Sequence, residues 1–302
     1  MKLTKQEISF LAREFNNKSE ISLFANINEA LSGTEEAQLT AKGILSDGKM
    51  TKKAEEFFTP FAYADRCTKL MIKDSYFVVE KYSYKYKDQL VLVENRNGEL
   101  DFSNLGNFED LTQEFTEFFG QSLIKSSDVK LTLSPKELVI LLGIMDIVRR
   151  KALADYIGDV SVSNLITIDT INDQLVLDKK NSLAKMIIAN YTYEVPEKKD
   201  IQELLTSLEK KGCIIKGDQI KLSNDYYQLA VSLLIPETMI VVETFQLLKN
   251  NEMLVGSALI LSAGVRDMIA MVIALDEVQL SSLSGTQLNE MLKNFMSCPE
   301  IE

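Results

Sequence analysis

Leu133-Ser134-Pro135-Lys136-Glu137 decides the reading of this chain, because it restates Leu3-Thr4-Lys5-Gln6-Glu7 some 130 residues later. In both stretches a hydroxyl residue is followed three positions on by glutamate. That spacing lets the hydroxyl accept from the third N–H of a helix while the glutamate reaches back to the N–H of the capping residue. Pro135 strengthens the second start, since proline lacks a donor the first turn does not need and has a φ suited to it. Ile8, Leu11, Ala12 and Phe15 then give the first helix an apolar face.

Working outward, the same landmarks return in the same order. A helix over 28–41 stops at Gly43, and 44–50 reads as a short hairpin. Thr51 caps a further helix with Ala54, Phe57 and Phe58 inward. In the second half a helix over 201–211 ends Leu208-Glu209-Lys210-Lys211-Gly212, matching Leu39-Thr40-Ala41-Lys42-Gly43. Lys221-Leu222-Ser223 matches Lys49-Met50-Thr51, and Ser223 caps a helix that Pro236 closes. The hydrophobic period then changes to two. Strands are expected over 68–73, 76–84, 89–94 and 99–103, with an Asn97-Gly98 hairpin turn, and again over 239–246, 254–261, 268–275 and 278–281. Leu100-Asp101-Phe102-Ser103-Asn104-Leu105 matches Val278-Gln279-Leu280-Ser281-Ser282-Leu283. An amphipathic helix closes each set, over 108–119 (Phe108, Leu111, Phe115, Phe118) and 287–296 (Leu288, Met291, Leu292, Phe295).

The expected fold is therefore α+β: an internally duplicated, pseudo-two-fold unit, each half made of winged-helix-like helices, a four-stranded antiparallel meander and a closing helix. The first repeat covers 1–125. The second covers 126–302 and carries an insertion near 155–198, in which 159–168 and 174–177 read as strands, 179–190 as a helix and 196–199 as an exposed link. The two halves are expected to form one body.

Composition narrows the function by exclusion. The chain contains no histidine, which removes Ser-His-Asp and Cys-His catalysis and the usual zinc sites. Cys67, Cys213 and Cys298 are scattered and form no CxxC pair, as expected of a reducing, cytoplasmic setting. There is no Gly-rich phosphate loop, no GxSxG spacing and no dense acidic loop, so no enzyme activity, cofactor or metal is expected. A net charge of −11 disfavours nucleic acid and anionic membrane as partners. No apolar run is long enough to span a bilayer, and the first fifteen residues read as an amphipathic helix rather than a secretory signal.

Two strand surfaces stand out. Tyr76, Val78, Glu80, Tyr82, Tyr84 and Tyr86 share one face. Residues 268–275 do not alternate at all, so both faces of that strand need cover. Packing between the halves or beneath the insertion is one explanation. An apolar, Met-rich surface that receives a partner is the other. On the second, the candidate partner-binding residues are Tyr82, Tyr84 and Tyr86 with Met253, Leu254, Met268 and Met271.

The LTxxE helix start, the Lys42-Gly43-Ile44-Leu45-Ser46-Asp47-Gly48-Lys49-Met50 hairpin and the meander over 68–103, recurring from Leu133, resemble the EspG-type chaperones of type VII secretion. The insertion near 155–198 and the Lys-, Asn- and Ile-rich composition depart from that family's best-known members and resemble low-GC bacteria, where EsaE-like proteins deliver a toxin. The resemblance implies a cytoplasmic chaperone that masks a helical secreted protein or toxin and presents it to a secretion ATPase. The other class consistent with helices and wing-like hairpins is a winged-helix DNA-binding regulator. Its recognition helix would lie over 200–211, where Asp200, Glu203 and Glu209 oppose DNA.

Overall fold

The first capping box forms as its spacing dictates. Thr4 Oγ1 accepts from Glu7 N at 3.2 Å and Glu7 Oε2 from Thr4 N at 2.7 Å, so strand β1 (Lys2–Thr4) turns directly into helix α1 (Lys5–Leu11). The computed structural model describes residues 1–301 except 97, 105–107, 160–161, 163–164, 178–180, 218, 265–266 and 275. Asn97, Leu105, Lys179 and Leu275 of the sequence expectations thus lie outside the described residues. After α2 (Leu23–Asn26), helix α3 (Glu35–Ala41) is shorter than the expected 28–41. The Glu35 carboxylate accepts from Ser32 N (2.7 Å) and Gly33 N (2.9 Å), and Gly33 sits at φ +90°, which ends any helix before it. Hairpin β2 (Leu45–Ser46) and β3 (Lys49–Met50) leads to α4 (Lys52–Tyr63), capped by Thr51.

The meander follows: β4 (Arg66–Lys73), β5 (Val78–Tyr86), β6 (Gln89–Arg96) and β7 (Glu99–Asn104), each antiparallel to the next, then α5 (Phe108–Phe119). Strand β1 adds to β7 with Leu3 opposite Leu100. One sheet face carries Tyr84, Val93 and Phe102 beneath α4, whose Phe61 ring lies 5.9 Å from Tyr84 and 5.1 Å from Phe102. The opposite face is covered too. Lys81 is buried and pairs with Glu114 of α5 at 2.7 Å and with its cross-strand neighbour Glu94 at 3.4 Å.

In the next stretch β8 (Lys130–Leu133) runs into α6 (Pro135–Tyr156), started by the second capping box. Leu138 to Ile147 are buried on every side of α6, so it must be surrounded. Helices α7 (Ile168–Val176), α8 (Leu183–Tyr191), α9 (Lys198–Lys210) and, after hairpin β9 (Ile214–Ile215) and β10 (Lys221–Leu222), α10 (Asn224–Ser232) pack against it. The strands expected at 159–168 and 174–177 are not found among the described residues. Thr167 and Thr170 form a capping pair, and Ile168, Ile171 and Leu175 then follow helical spacing. Ser223 makes no side-chain cap. Its hydroxyl donates to Gly212 O at 2.7 Å instead.

Strands β11 (Thr238–Leu247), β12 (Met253–Ser262), β13 (Met268–Ile273) and β14 (Val278–Leu283) and helix α11 (Gly285–Met296) complete the chain. Two compact units result. Unit 1 holds Met1–Phe119, Ile240–Ala258 and Leu288–Glu302, with strand order β1-β7-β6-β5-β4-β11-β12. Unit 2 holds Gly120–Met239 and Leu259–Gln287, with order β12-β13-β14-β8; β12 contributes its first six residues to unit 1 and its last four to unit 2. Among the described residues no helix is long and apolar enough to cross a membrane.

Each unit contains the same polar hub. In unit 1, Lys42 at the C-cap of α3 reaches both oxygens of buried Glu7, at 2.7 and 2.8 Å, and donates to Lys2 O at 3.0 Å. In unit 2, Lys211 at the C-cap of α9 reaches Glu137 at 2.8 Å and donates to Thr132 O at 3.0 Å. Glu137 also accepts from Ser207 Oγ at 2.5 Å. Burial pushes the Glu137 carboxyl up, but the bonds from Lys211, Ser207 and the Ser134 N–H outweigh it and hold the carboxyl below its ordinary value. A carboxylate depressed by folding contributes stability above its unfolded pKa, about 4.3, and loses it as pH falls through the folded value. Wild type is therefore expected to lose more stability than Glu137→Gln between about pH 4.5 and pH 3. Thermal melts across that range check it, and parallel acid limbs would remove Glu137 from the acid response.

Candidate partner-binding groove

Helix α4 does not cover the whole tyrosine-bearing face of unit 1. Beside it, the segment from Glu20 to Ile27, which includes α2, stands over the sheet and leaves a groove of about 480 Å³. The sheet supplies Cys67 and Lys69 from β4, Glu80, Tyr82 and Tyr84 from β5, and Asn95 from β6. Glu243 and Phe245 of β11 and Met253 of β12 reach the same groove, and Ile21, Leu23 and Ile27 form its apolar wall. Period two explains the convergence: Cys67 pairs with Tyr84, Lys69 with Tyr82 and Glu80 with Asn95, so all six side chains point to one face.

The polar groups are ordered. Glu80 Oε2 accepts from Tyr82 OH at 3.1 Å and from Asn95 Nδ2 at 2.9 Å. Lys69 pairs with Glu243 at 3.4 Å. Burial, with Glu80 adding to it, pushes the Tyr82 phenol well above its ordinary range, so Tyr82 stays a donor at neutral pH. Burial also pushes the Cys67 thiol far up, with Cys298 adding to it, and burial raises Cys213 and Cys298. All three are free, buried thiols, which argues against nucleophilic use. Among the described residues no group of carboxylates and cysteines is placed to hold a metal ion.

No family model and no curated protein matches the sequence. In fold, the chain is similar to a secretion chaperone. One solved structure that it matches is the Mycobacterium tuberculosis type VII secretion system chaperone EspG5, in complex with the PE25–PPE41 dimer. The match has a TM-score of 0.52 at 7% identity and covers 100% of this chain and 98% of EspG5. At that identity the likeness is one of fold: mixed helices on a many-stranded antiparallel sheet.

Three of the seven residues singled out from sequence, Tyr82, Tyr84 and Met253, line the groove. Tyr84 is a floor residue, 3% exposed, whereas Met253 is 40% exposed. Tyr86 lies beyond the groove, with its ring 6.4 Å from Tyr63 and Lys87 Nζ 4.8 Å above it. Leu254, next to Met253 on β12, does not line it either. Met268 and Met271 do not line it. Both are at most 1% exposed in unit 2, paired with Leu283 and Leu280, because β13 is covered on both faces. Sequence reasoning missed Glu80's role, Phe245 and the 20–27 wall. Phe245 was within reach, since Glu243 and Phe245 alternate on one face of β11. Nothing local marks 20–27 as lying over a sheet.

Proposed function

We propose that this chain is a non-enzymatic chaperone or adaptor that binds a helical secreted protein or toxin and delivers it to type VII secretion machinery, including its ATPase, in the manner of EsaE-like proteins. The observation that carries the reading is the fold likeness to EspG5 along both whole chains, EspG5 having been solved with the PE25–PPE41 dimer bound. On this reading the chain is two copies of one unit, 1–125 and 126–302, the second interrupted near 155–198. The paired hubs support it, since Lys2, Glu7 and Lys42 make the same contacts as Thr132, Glu137 and Lys211. Edge pairing supports it as well: Leu3 opposes Leu100 as Leu133 opposes Val278, in the register of the sequence match.

The groove of unit 1 is the binding surface on this reading. Met253 anchors the partner at the rim and Tyr82 inside. Met253→Lys is expected to change folding stability by less than about 0.5 kcal/mol while weakening partner capture by more than about 2 kcal/mol, as a hot spot does. Co-purification of the tagged chain from its native cell, wild type beside Met253→Lys, measures this. Retention of one secreted protein by wild type and its loss by the variant is the expected result. Micromolar binding of generic duplex DNA with a steep salt slope, and no retained protein, would instead favour the winged-helix regulator.

A further inference from the structure

Among the described residues, Glu80 is the groove carboxylate that accepts side-chain hydrogen bonds and makes no ion pair. Its two donors, Tyr82 OH and Asn95 Nδ2, are neutral and both reach Oε2, which leaves Oε1 for an incoming donor. Lys69, two residues along β4 from Met71, which faces Glu80, is engaged by Glu243. The groove is thus a largely apolar slot with three carboxylates (Glu20, Glu80, Glu243) against two amines (Lys5, Lys69), in a chain of net charge −11. Its volume of about 480 Å³ lies in the range of pockets that enclose a ligand of a few side chains.

We propose that this groove docks a segment of the partner protein that presents two or three apolar side chains and one lysine or arginine, whose cation pairs with Glu80. The proposal rests on the chaperone reading for its occupant and adds that occupant's chemistry. A purely apolar segment would seal Glu80 from water with only neutral donors, which leaves a buried charge uncompensated. An acidic segment would add repulsion from Glu80 and Glu20. A cation converts the same burial into a charge-assisted hydrogen bond, while Ile21, Leu23, Phe245 and Met253 take up the apolar side chains. Rejection of the wrong charge gives the groove selectivity as well as affinity.

The test uses the full chain and two 16-residue helical peptides, each with three leucines on one face and differing only in a lysine or a glutamate beside them. Calorimetry is expected to give at least a tenfold tighter Kd for the lysine peptide. Glu80→Gln keeps the acceptor for Tyr82 and Asn95 but removes the charge, so it should fold normally and reduce that preference at least threefold. Glu20→Gln, on the exposed rim, should reduce it less. No binding of the lysine peptide, equal affinities, or a preference unchanged in Glu80→Gln overturns the proposal. Because the peptides are fixed in advance, such a failure leaves the chaperone reading standing. That reading fails separately if native-cell co-purification returns no secreted protein while the lysine peptide still binds.

Discussion

Replacing Asp146 with alanine is expected to destabilise unit 2 by about 3–5 kcal/mol, because it strands a buried arginine. Asp146 and Arg149 are 3% and 5% exposed and pair at 2.6 Å, one turn apart on α6. Asp146 also accepts from Ser182 Oγ (2.6 Å), Leu183 N (3.0 Å) and Ala184 N (3.2 Å), so it holds the first turn of α8, where the helix dipole favours a negative charge. Arg149 turns the other way. Its guanidinium donates to Leu233 O (2.8 Å) and Leu234 O (3.0 Å) past the end of α10, and to Asn181 O (3.2 Å) before α8. One ion pair therefore fixes three helices. Urea unfolding followed by helical circular dichroism checks the loss; at a slope of about 2 kcal/mol/M the midpoint falls by about 2 M. Asp146→Leu with Arg149→Met should cost less than the two single changes summed, since neither charge is left alone. Strict additivity, or a loss below about 1 kcal/mol, would mean that the α6, α8 and α10 contacts stand on apolar packing alone.

The pair is a measure of what sequence discloses. An aspartate and an arginine three apart inside the apolar run Leu138–Ile147 and its continuation signal a buried ion pair, but their partners lie 32 to 85 residues away. The capping boxes at Thr4 and Ser134 were legible because cap chemistry closes within four residues. The lysines that complete each hub were not, since Lys42 and Lys211 lie 35 and 74 residues beyond their glutamates. The helix expected over 179–190 is found as α8, but α7, whose ends were read as strands, was misread for a related reason. Short apolar clusters such as Leu165-Ile166 and Leu175-Val176-Leu177 fit either period, and only the Thr167–Thr170 cap decides between them. At the groove, alternation placed Tyr82 and Tyr84 on one face correctly. It could not say that Tyr86 meets Tyr63 while Tyr82 faces a gap, because cover comes from segments distant in sequence.

Met271→Ala separates cover from contact most sharply. An apolar strand without alternation, such as 268–273, signals burial of both faces but leaves open whether this chain or a partner provides it. The structure gives 0% exposure at Met271 and 1% at Met268 and Ile269 with no partner present. Deleting most of a buried methionine loses its transfer free energy and leaves a cavity, so each alanine should cost about 2–5 kcal/mol. That cost should be the same with and without a bound partner, because the side chain is in the core of unit 2 either way. Met253→Ala, at 40% exposure on the same sheet motif, should cost less than about 0.5 kcal/mol and act on capture instead. Urea midpoints of both variants, measured with the partner absent and then in excess, make the comparison. A Met271→Ala protein that unfolds like wild type alone but binds the partner weakly would return β13 to the binding surface and displace the groove of unit 1.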